Sequence, residues 1–117
     1  MKDCIFCKMA SGKVKVKKIY ENDNFFSIPD KNPSAPGHSL VISKKHFRTA
    51  LSLPNELGPD FLDCVKKTTS KLMKKYSASG FNLLNNGYAS GGQFVPHFHL
   101  HILPRKKGDG IRNFVKK

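Results

Sequence analysis

The sequence predicts an α+β fold, an antiparallel five-stranded sheet with one long helix and a short N-terminal helix. Three observations predict it. Five short stretches rich in β-branched and aromatic residues are separated by Gly-, Pro- and Asn-rich breaks. A single long run, from Pro59 to Tyr76, carries apolar residues at helical spacing. The order, two strands, a third, the helix, then two more, suits a helix packed on one face of an antiparallel sheet. A length of 117 residues fits one domain with one core, spanning residues 1–117.

In chain order, Cys4 to Met9 places Ile5, Phe6 and Met9 on one face of a short helical turn, which Ser11-Gly12 breaks. Residues 16–21 and 25–28 flank Asn22-Asp23-Asn24 and read as a hairpin. Pro29, Pro33, Pro36 and Gly37 enforce a loop, after which the apolar run His38 to Ser43 suits a buried central strand. A basic loop, Lys44-Lys45-His46, follows. Phe61, Leu62, Val65, Leu72 and Tyr76, with Thr68 or Thr69 between, define the apolar stripe of the long helix. Pro59 is tolerated in its first turn, where backbone N–H groups have no helical acceptor. Ser77 to Gly80 stops the helix, Phe81 to Leu84 is the next strand, and a loop from Asn85 to Gly92 leads to a last strand, Pro96 to Leu103. Residues 105–117 read as a basic tail with little strand or helix pattern.

Lys and Arg outnumber Asp and Glu by 21 to 8, a net charge of +13 that attracts nucleotides, nucleic acid or acidic surfaces without choosing among them. Lys66, Lys67, Lys71, Lys74 and Lys75 fall on the wet side of the helix and need no ligand. No run of eighteen apolar residues appears, and the start lacks a secretory leader, so the expectation is a soluble cytoplasmic protein with no membrane partner. The three cysteines, an odd number, argue against a disulfide framework and leave metal binding or free thiols.

The chemistry concentrates in His97-Phe98-His99-Leu100-His101-Ile102. Strand periodicity puts the three imidazoles on one face and Phe98, Leu100 and Ile102 on the other, so that one face packs and the other reacts. Core histidines and a histidine metal site are the competing readings, though packing does not account for strict alternation. Cys4-x-x-Cys7 has zinc-ligand spacing; a redox pair would need a βαβ context that is absent, and idle thiols are the third reading. Cys64, between Phe61 and Val65, reads as a small buried hydrophobe.

The chain resembles the histidine-triad (HIT) family. The likeness rests on the triad and on Cys4-Ile5-Phe6-Cys7-Lys8, Asp30-Lys31-Asn32-Pro33, Pro36-Gly37-His38-Ser39-Leu40-Val41-Ile42, Lys44-Lys45-His46, and Gly91-Gly92-Gln93 through Pro104-Arg105. The resemblance implies a nucleotide hydrolase or transferase that cleaves the α-phosphate bond of nucleoside phosphoramidates, nucleotidyl esters or dinucleoside polyphosphates. In it, neutral His99 forms a covalent nucleotidyl-imidazole and water releases the nucleoside monophosphate, one hard step becoming two easier ones. It also implies that His101 and the amides around Gln93 and Phe94 hold phosphate oxygens, that Asn85 positions the phosphate, and that His38 supports the active imidazoles. A purine nucleoside would lie against Ile5, Phe6, Met9 and Ile28, with Asp30 accepting from the ribose hydroxyls; Phe6 and Ile28 suit a core equally well.

Within the cysteine-bearing, Hint-like branch of the family, the resemblance further implies a structural zinc held by Cys4, Cys7, His46 and His97, with no catalytic metal. Homodimers would pair through the helix from Pro59 and the strand from Phe81. Phe94 departs from the pattern, standing where several family members have a small hydroxyl residue. Two alternatives remain open at this point: a basic nucleic-acid-binding protein without turnover, and a hydrolase that uses the triad as ligands for a zinc-bound hydroxide.

Overall fold

A computed structural model describes residues 3–111; the last part of the expected basic tail, residues 112–117, lies outside the described residues. In chain order the elements are α1 (Ile5–Ala10), β1 (Tyr20–Glu21), β2 (Phe25–Pro29), β3 (Ser39–Ser43), α2 (Gly58–Lys75), β4 (Gly80–Asn85) and β5 (His99–Arg105). Short 3-10 turns stand at Ala50–Ser52, Asn55–Leu57 and Ala89–Gly91. The strands form one five-stranded sheet in the order β1-β2-β3-β5-β4, every neighbouring pair antiparallel. The fold is α+β with one long and one short helix, as the sequence predicts.

The hairpin forms because Asn22 builds its turn. Its side-chain oxygen accepts from the N–H groups of Asn24 (3.1 Å) and Phe25 (2.9 Å), while its amide donates to the Asp60 carbonyl (2.8 Å) at the start of α2. β1 is shorter than the expected 16–21. Upstream of Tyr20 the chain turns back toward α1, where the Val14 N–H donates to the Lys8 carbonyl (3.1 Å) and Val16 packs beside Phe6 and Ile28.

Alternation along the strands sorts the apolar residues into two layers. Phe25, Val41, Leu100 and Ile102, with Phe98, pack under Cys64, Val65 and Leu72 of α2. Phe26, Ile28, Leu40 and Ile42 pack with Phe6 of α1 on the opposite face. Both faces of β2 and β3 are therefore covered, which is why their sequences read as continuous apolar runs. Thr68 stands in the α2 stripe because its hydroxyl finds a partner there, donating to Ser27 of β2 at 2.7 Å with both residues fully buried. Leu62, expected in that stripe, is 55% exposed; Cys64 takes the inward position.

β5 corrects the expected last strand at both ends. It starts at His99 rather than Pro96, because the His97 N–H closes a tight turn to the Val95 carbonyl (2.8 Å) and the Phe98 N–H donates to Phe47 (2.6 Å) in the loop before α2. It ends at Arg105 rather than Leu103: Arg105 pairs with Gly80 in register, and its guanidinium holds Asn82 and Asp109. The expected tail thus begins as strand. Among the described residues no helix is long and apolar enough to cross a membrane.

Candidate active site

The face of the sheet away from α2 carries an open cavity of about 720 Å³. Its apolar wall includes Ile5, Phe6 and Met9 of the N-terminal segment and Ile28 and Leu40 of the sheet; its polar end carries Asp30, His38, His99 and His101. Phe94 stands at its rim. Neighbouring strands bring the histidines together: Leu40 of β3 pairs with His101 of β5, Ile42 pairs with His99, and His38 immediately precedes β3.

Backbone groups fix the tautomers of His38 and His99, and His38 in turn fixes that of His101. The Ser34 N–H donates to His38 Nδ1 (3.0 Å), which leaves the proton of neutral His38 on Nε2. That Nε2–H faces His101 Nδ1 at 2.9 Å and Asp30 Oδ2 at 3.3 Å. His101 therefore accepts at Nδ1 and carries its own proton on Nε2, the ring nitrogen left for the cavity. His99 has the opposite arrangement: its Nδ1–H donates to the His97 carbonyl (2.8 Å), so Nε2 keeps a free lone pair. One imidazole offers the cavity a lone pair and its neighbour an N–H, with ring centroids 5.1 Å apart.

Burial keeps these rings neutral. It lowers the pKa of His101 to about 4, reinforced by His99 and His38, with Asp30 opposing. Burial likewise lowers the pKa of His38 and His99, again partly offset by the Asp30 carboxylate. Asp30 is better anchored than its loop suggests: the Asn32 N–H donates to Oδ1 (2.9 Å), and its own N–H donates to the His38 carbonyl (2.9 Å).

His97 belongs to a different cluster. Its Nε2–H donates to the Ser43 carbonyl (2.7 Å), turning Nδ1 toward Cys4 Sγ (3.2 Å), Cys7 Sγ (3.5 Å) and His46 Nδ1 (3.2 Å); Cys7 Sγ lies 3.4 Å from His46 Nδ1. Tetrahedral zinc with ordinary bond lengths would set its nitrogen and sulfur ligands about 3.3–3.8 Å apart. The donor set, the spacing and the carbonyl-fixed tautomer fit such an ion. Burial, with a bond and a like charge from Cys4, pushes the Cys7 thiol up to about 11, which a cation among the four would reverse. A second group, Asp30, His38 and His101, also brings metal-ligating atoms within 4.8 Å, but the hydrogen bonds above already employ them. The three triad imidazoles do not converge on one point, since His97 is turned to the cysteines.

The remaining sequence-predicted residues act on the frame of the site. Asn85 is exposed at the end of β4, and its amide donates to the His99 carbonyl (3.0 Å). Gln93 is occupied within its loop: its N–H donates to the Tyr88 carbonyl (3.0 Å), its side-chain oxygen accepts from the Tyr88 N–H (2.7 Å), and its amide donates to the Arg48 carbonyl (2.6 Å). The Phe94 N–H, by contrast, has no acceptor among the described residues. Sequence reasoning missed the Ser34 N–H and the Ser43 carbonyl, which set two of the tautomers; backbone groups leave no mark in side-chain pattern. It also missed Val14 and Val16 on the cavity wall, since Val16 read as the start of a strand and Val14 lay outside any expected element.

The chain is similar to known proteins over most of its length. An uncharacterized HIT-like protein of Methanocaldococcus jannaschii is 40% identical over 107 residues, 92% of this chain and 82% of that protein. An adenylylsulfatase of Arabidopsis thaliana is 38% identical over 92% of this chain, which spans 54% of the plant protein. An adenosine 5'-monophosphoramidase of Schizosaccharomyces pombe is 36% identical over 87% of this chain and 74% of its own length. The crystal structure of a Streptococcus mutans protein superposes with a TM-score of 0.90 at 34% identity, covering all of this chain and 75% of that one. Residues 11–108 match the HIT domain, and with that match and these relatives the chain belongs to the HIT domain family.

Proposed function

We propose that the protein is a nucleotide hydrolase or transferase that cleaves the α-phosphate bond of nucleotide conjugates through a covalent nucleotidyl-His99. The observation that carries the reading is the tautomer relay: a backbone carbonyl holds the His99 proton on Nδ1, and Ser34, through His38, holds the His101 proton on Nε2. A nucleophile and a hydrogen-bond donor thus line one cavity, each in the state its task needs before substrate arrives. The two named relatives support the class, one an adenylylsulfatase and the other a monophosphoramidase, both acting on adenylyl compounds.

In this mechanism the nucleoside lies along Ile5, Phe6 and Ile28, with Asp30 at the ribose. His99 Nε2 attacks the α-phosphorus in line with the departing group. The His101 Nε2–H and the Phe94 N–H meet the charge growing on the phosphoryl oxygens, and Asn85 holds the His99 backbone in place. Water, or another acceptor, then attacks the adduct and frees the monophosphate and His99. Gln93 contributes through the loop that it braces.

Cys4, Cys7, His46 and His97 would hold a structural zinc, which closes its tetrahedron with protein ligands and serves as a cross-link. It would tie α1, and with it Phe6, to the loop before α2 and to the turn that leads into His99. Protein purified without chelator should then carry one zinc per chain by metal analysis; a metal-free preparation of equal activity and stability would refute that part. For the reaction itself, release of adenosine monophosphate from adenosine phosphoramidate is the direct assay. Wild type should turn over, and His99→Ala should lose on the order of 10⁴-fold or more. Turnover retained in His99→Ala would refute the nucleophile.

A further inference from the structure

A second groove, of about 620 Å³, adjoins the catalytic cavity. Ile5, Phe94 and Val95 line both, while Arg48, His46 and Asp3 line only the second. Phe94 stands on the ridge between them and is 98% exposed, a whole phenyl ring in water. Its loop is built to hold it there. Gln93 braces the loop with two side-chain bonds, to the Tyr88 N–H and the Arg48 carbonyl, and Tyr88 adopts φ 59°, ψ 170°, a conformation that residues with a Cβ rarely occupy. The Arg48 guanidinium lies over the Tyr88 ring, 5.4 Å from its centroid, and no carboxylate forms an ion pair with it among the described residues.

We propose that this groove receives the leaving group, with Phe94 and Arg48 selecting leaving groups that combine a flat ring system with a negative charge. The proposal rests on the nucleotidyl-histidine reading above and says which conjugates that site prefers. A flat ring gains stacking on Phe94 whatever its hydrogen-bonding edges, and a guanidinium without a carboxylate partner favours an anion beside it. Ammonia has neither a ring nor a negative charge for these two residues to select. Two sources share the chemistry: a second nucleotide, as in a dinucleoside polyphosphate, and an aromatic amino acid joined through its nitrogen.

The step balances for each. His99 Nε2 bonds to the α-phosphorus as the bond from that phosphorus to the leaving atom breaks, and the electron pair stays on the leaving atom. A bridging oxygen departs as the terminal phosphate of a nucleoside polyphosphate and needs no proton. A nitrogen takes a proton from solvent and departs as an amine, while the His101 Nε2–H stays in place as a hydrogen-bond donor to the phosphoryl oxygen. Water then attacks the phosphorus, returning one proton to solvent, and His99 recovers its lone pair.

The test measures kcat/KM for diadenosine triphosphate and for adenosine tryptophan phosphoramidate, each divided by kcat/KM for adenosine phosphoramidate. Wild type, Arg48→Met and Phe94→Ser are compared, with each protein's mass in solution. One of the two ratios should fall about tenfold in both variants, at unchanged mass, and the ratio that falls identifies the source. Ratios that stay at the wild-type value overturn the subsite, as does an equal loss on all three substrates with a change in mass, which would make Phe94 a contact between copies. Wild type that turns over adenosine phosphoramidate while the ratios stay fixed removes the subsite and leaves the hydrolase; wild type inert on every substrate removes both.

Discussion

At the scale of single residues, the site turns on where four protons sit. His38 is the residue whose loss should separate positioning from packing. Its Nδ1 takes the Ser34 N–H and its Nε2 proton faces His101 at 2.9 Å, so His38→Ala removes the group that keeps the His101 proton on Nε2. We expect kcat/KM for a nucleoside phosphoramidate to drop on the order of 10- to 100-fold, with His38→Gln recovering part through its amide donor. Equal losses in both variants would make His38 a packing residue.

The same rings predict how stability follows pH. The pKa of His101 falls from its ordinary 6.5 to about 4 in the fold, chiefly by burial, and that of His38 is lowered too. Between those values the unfolded chain binds more protons than the folded one, so stability rises with pH there. The contribution is complete above pH 6.5 and is lost as pH falls toward 4. Denaturant midpoints at pH 7, 5 and 4 should therefore decline in that order. A midpoint that does not move between pH 7 and 5 would contradict neutral, buried imidazoles.

At the scale of elements, one glycine joins fold and site. Gly37 sits at φ +85°, and a Cβ there would meet the Tyr76 ring at 2.7 Å, where the end of α2 closes over the start of β3. Gly37→Ala should destabilise by roughly 1–3 kcal/mol, read by denaturant unfolding, and should also lower activity, because His38 is the next residue. Full stability in this variant would mean that Tyr76 yields without cost.

The elements that sequence reasoning recovered share a property: side-chain pattern decides them. The stripe of α2, the doubly buried β3 and the sidedness of Phe98, Leu100 and Ile102 follow from period and polarity alone. Where other forces decide, the reading failed. β5 begins two residues after His97 because backbone bonds to Val95 and Phe47 capture that stretch, and nothing in Pro96-His97-Phe98 announces a turn rather than a strand. Arg105 looked like tail because its partners, Asn82 and Asp109, lie across the sheet edge and four residues on. The candidate site was legible as residue types. That His97 faces cysteines while His99 and His101 face a cavity became visible only with the carbonyls of Ser43 and His97 in place.

At the scale of the whole molecule, β4 is an edge strand whose outward residues Phe81 and Leu83 are 48% and 45% exposed. Unpaired backbone beside exposed apolar side chains is the usual setting for pairing with another chain. We propose a homodimer through this edge and the neighbouring surface of α2. Light scattering at micromolar concentration should give twice the chain mass, and Phe81→Lys should shift it toward one; a wild-type monomer would contradict the assignment. The net charge of +13 acts on a longer range, drawing anionic substrates and weakening with salt. A charge of that kind raises encounter rate without setting specificity, so salt should lower kcat/KM mainly through KM.

The central claim is that His99 carries the nucleotide between two chemical steps. Intact-protein mass spectrometry within a single turnover of adenosine phosphoramidate, followed by peptide mapping, tests it most directly. One adenylyl group should appear on His99, absent from His99→Ala and decaying as adenosine monophosphate appears. Adenosine monophosphate formed at full rate with no adduct on His99, in protein quenched within the turnover, would contradict it and point to direct attack by water.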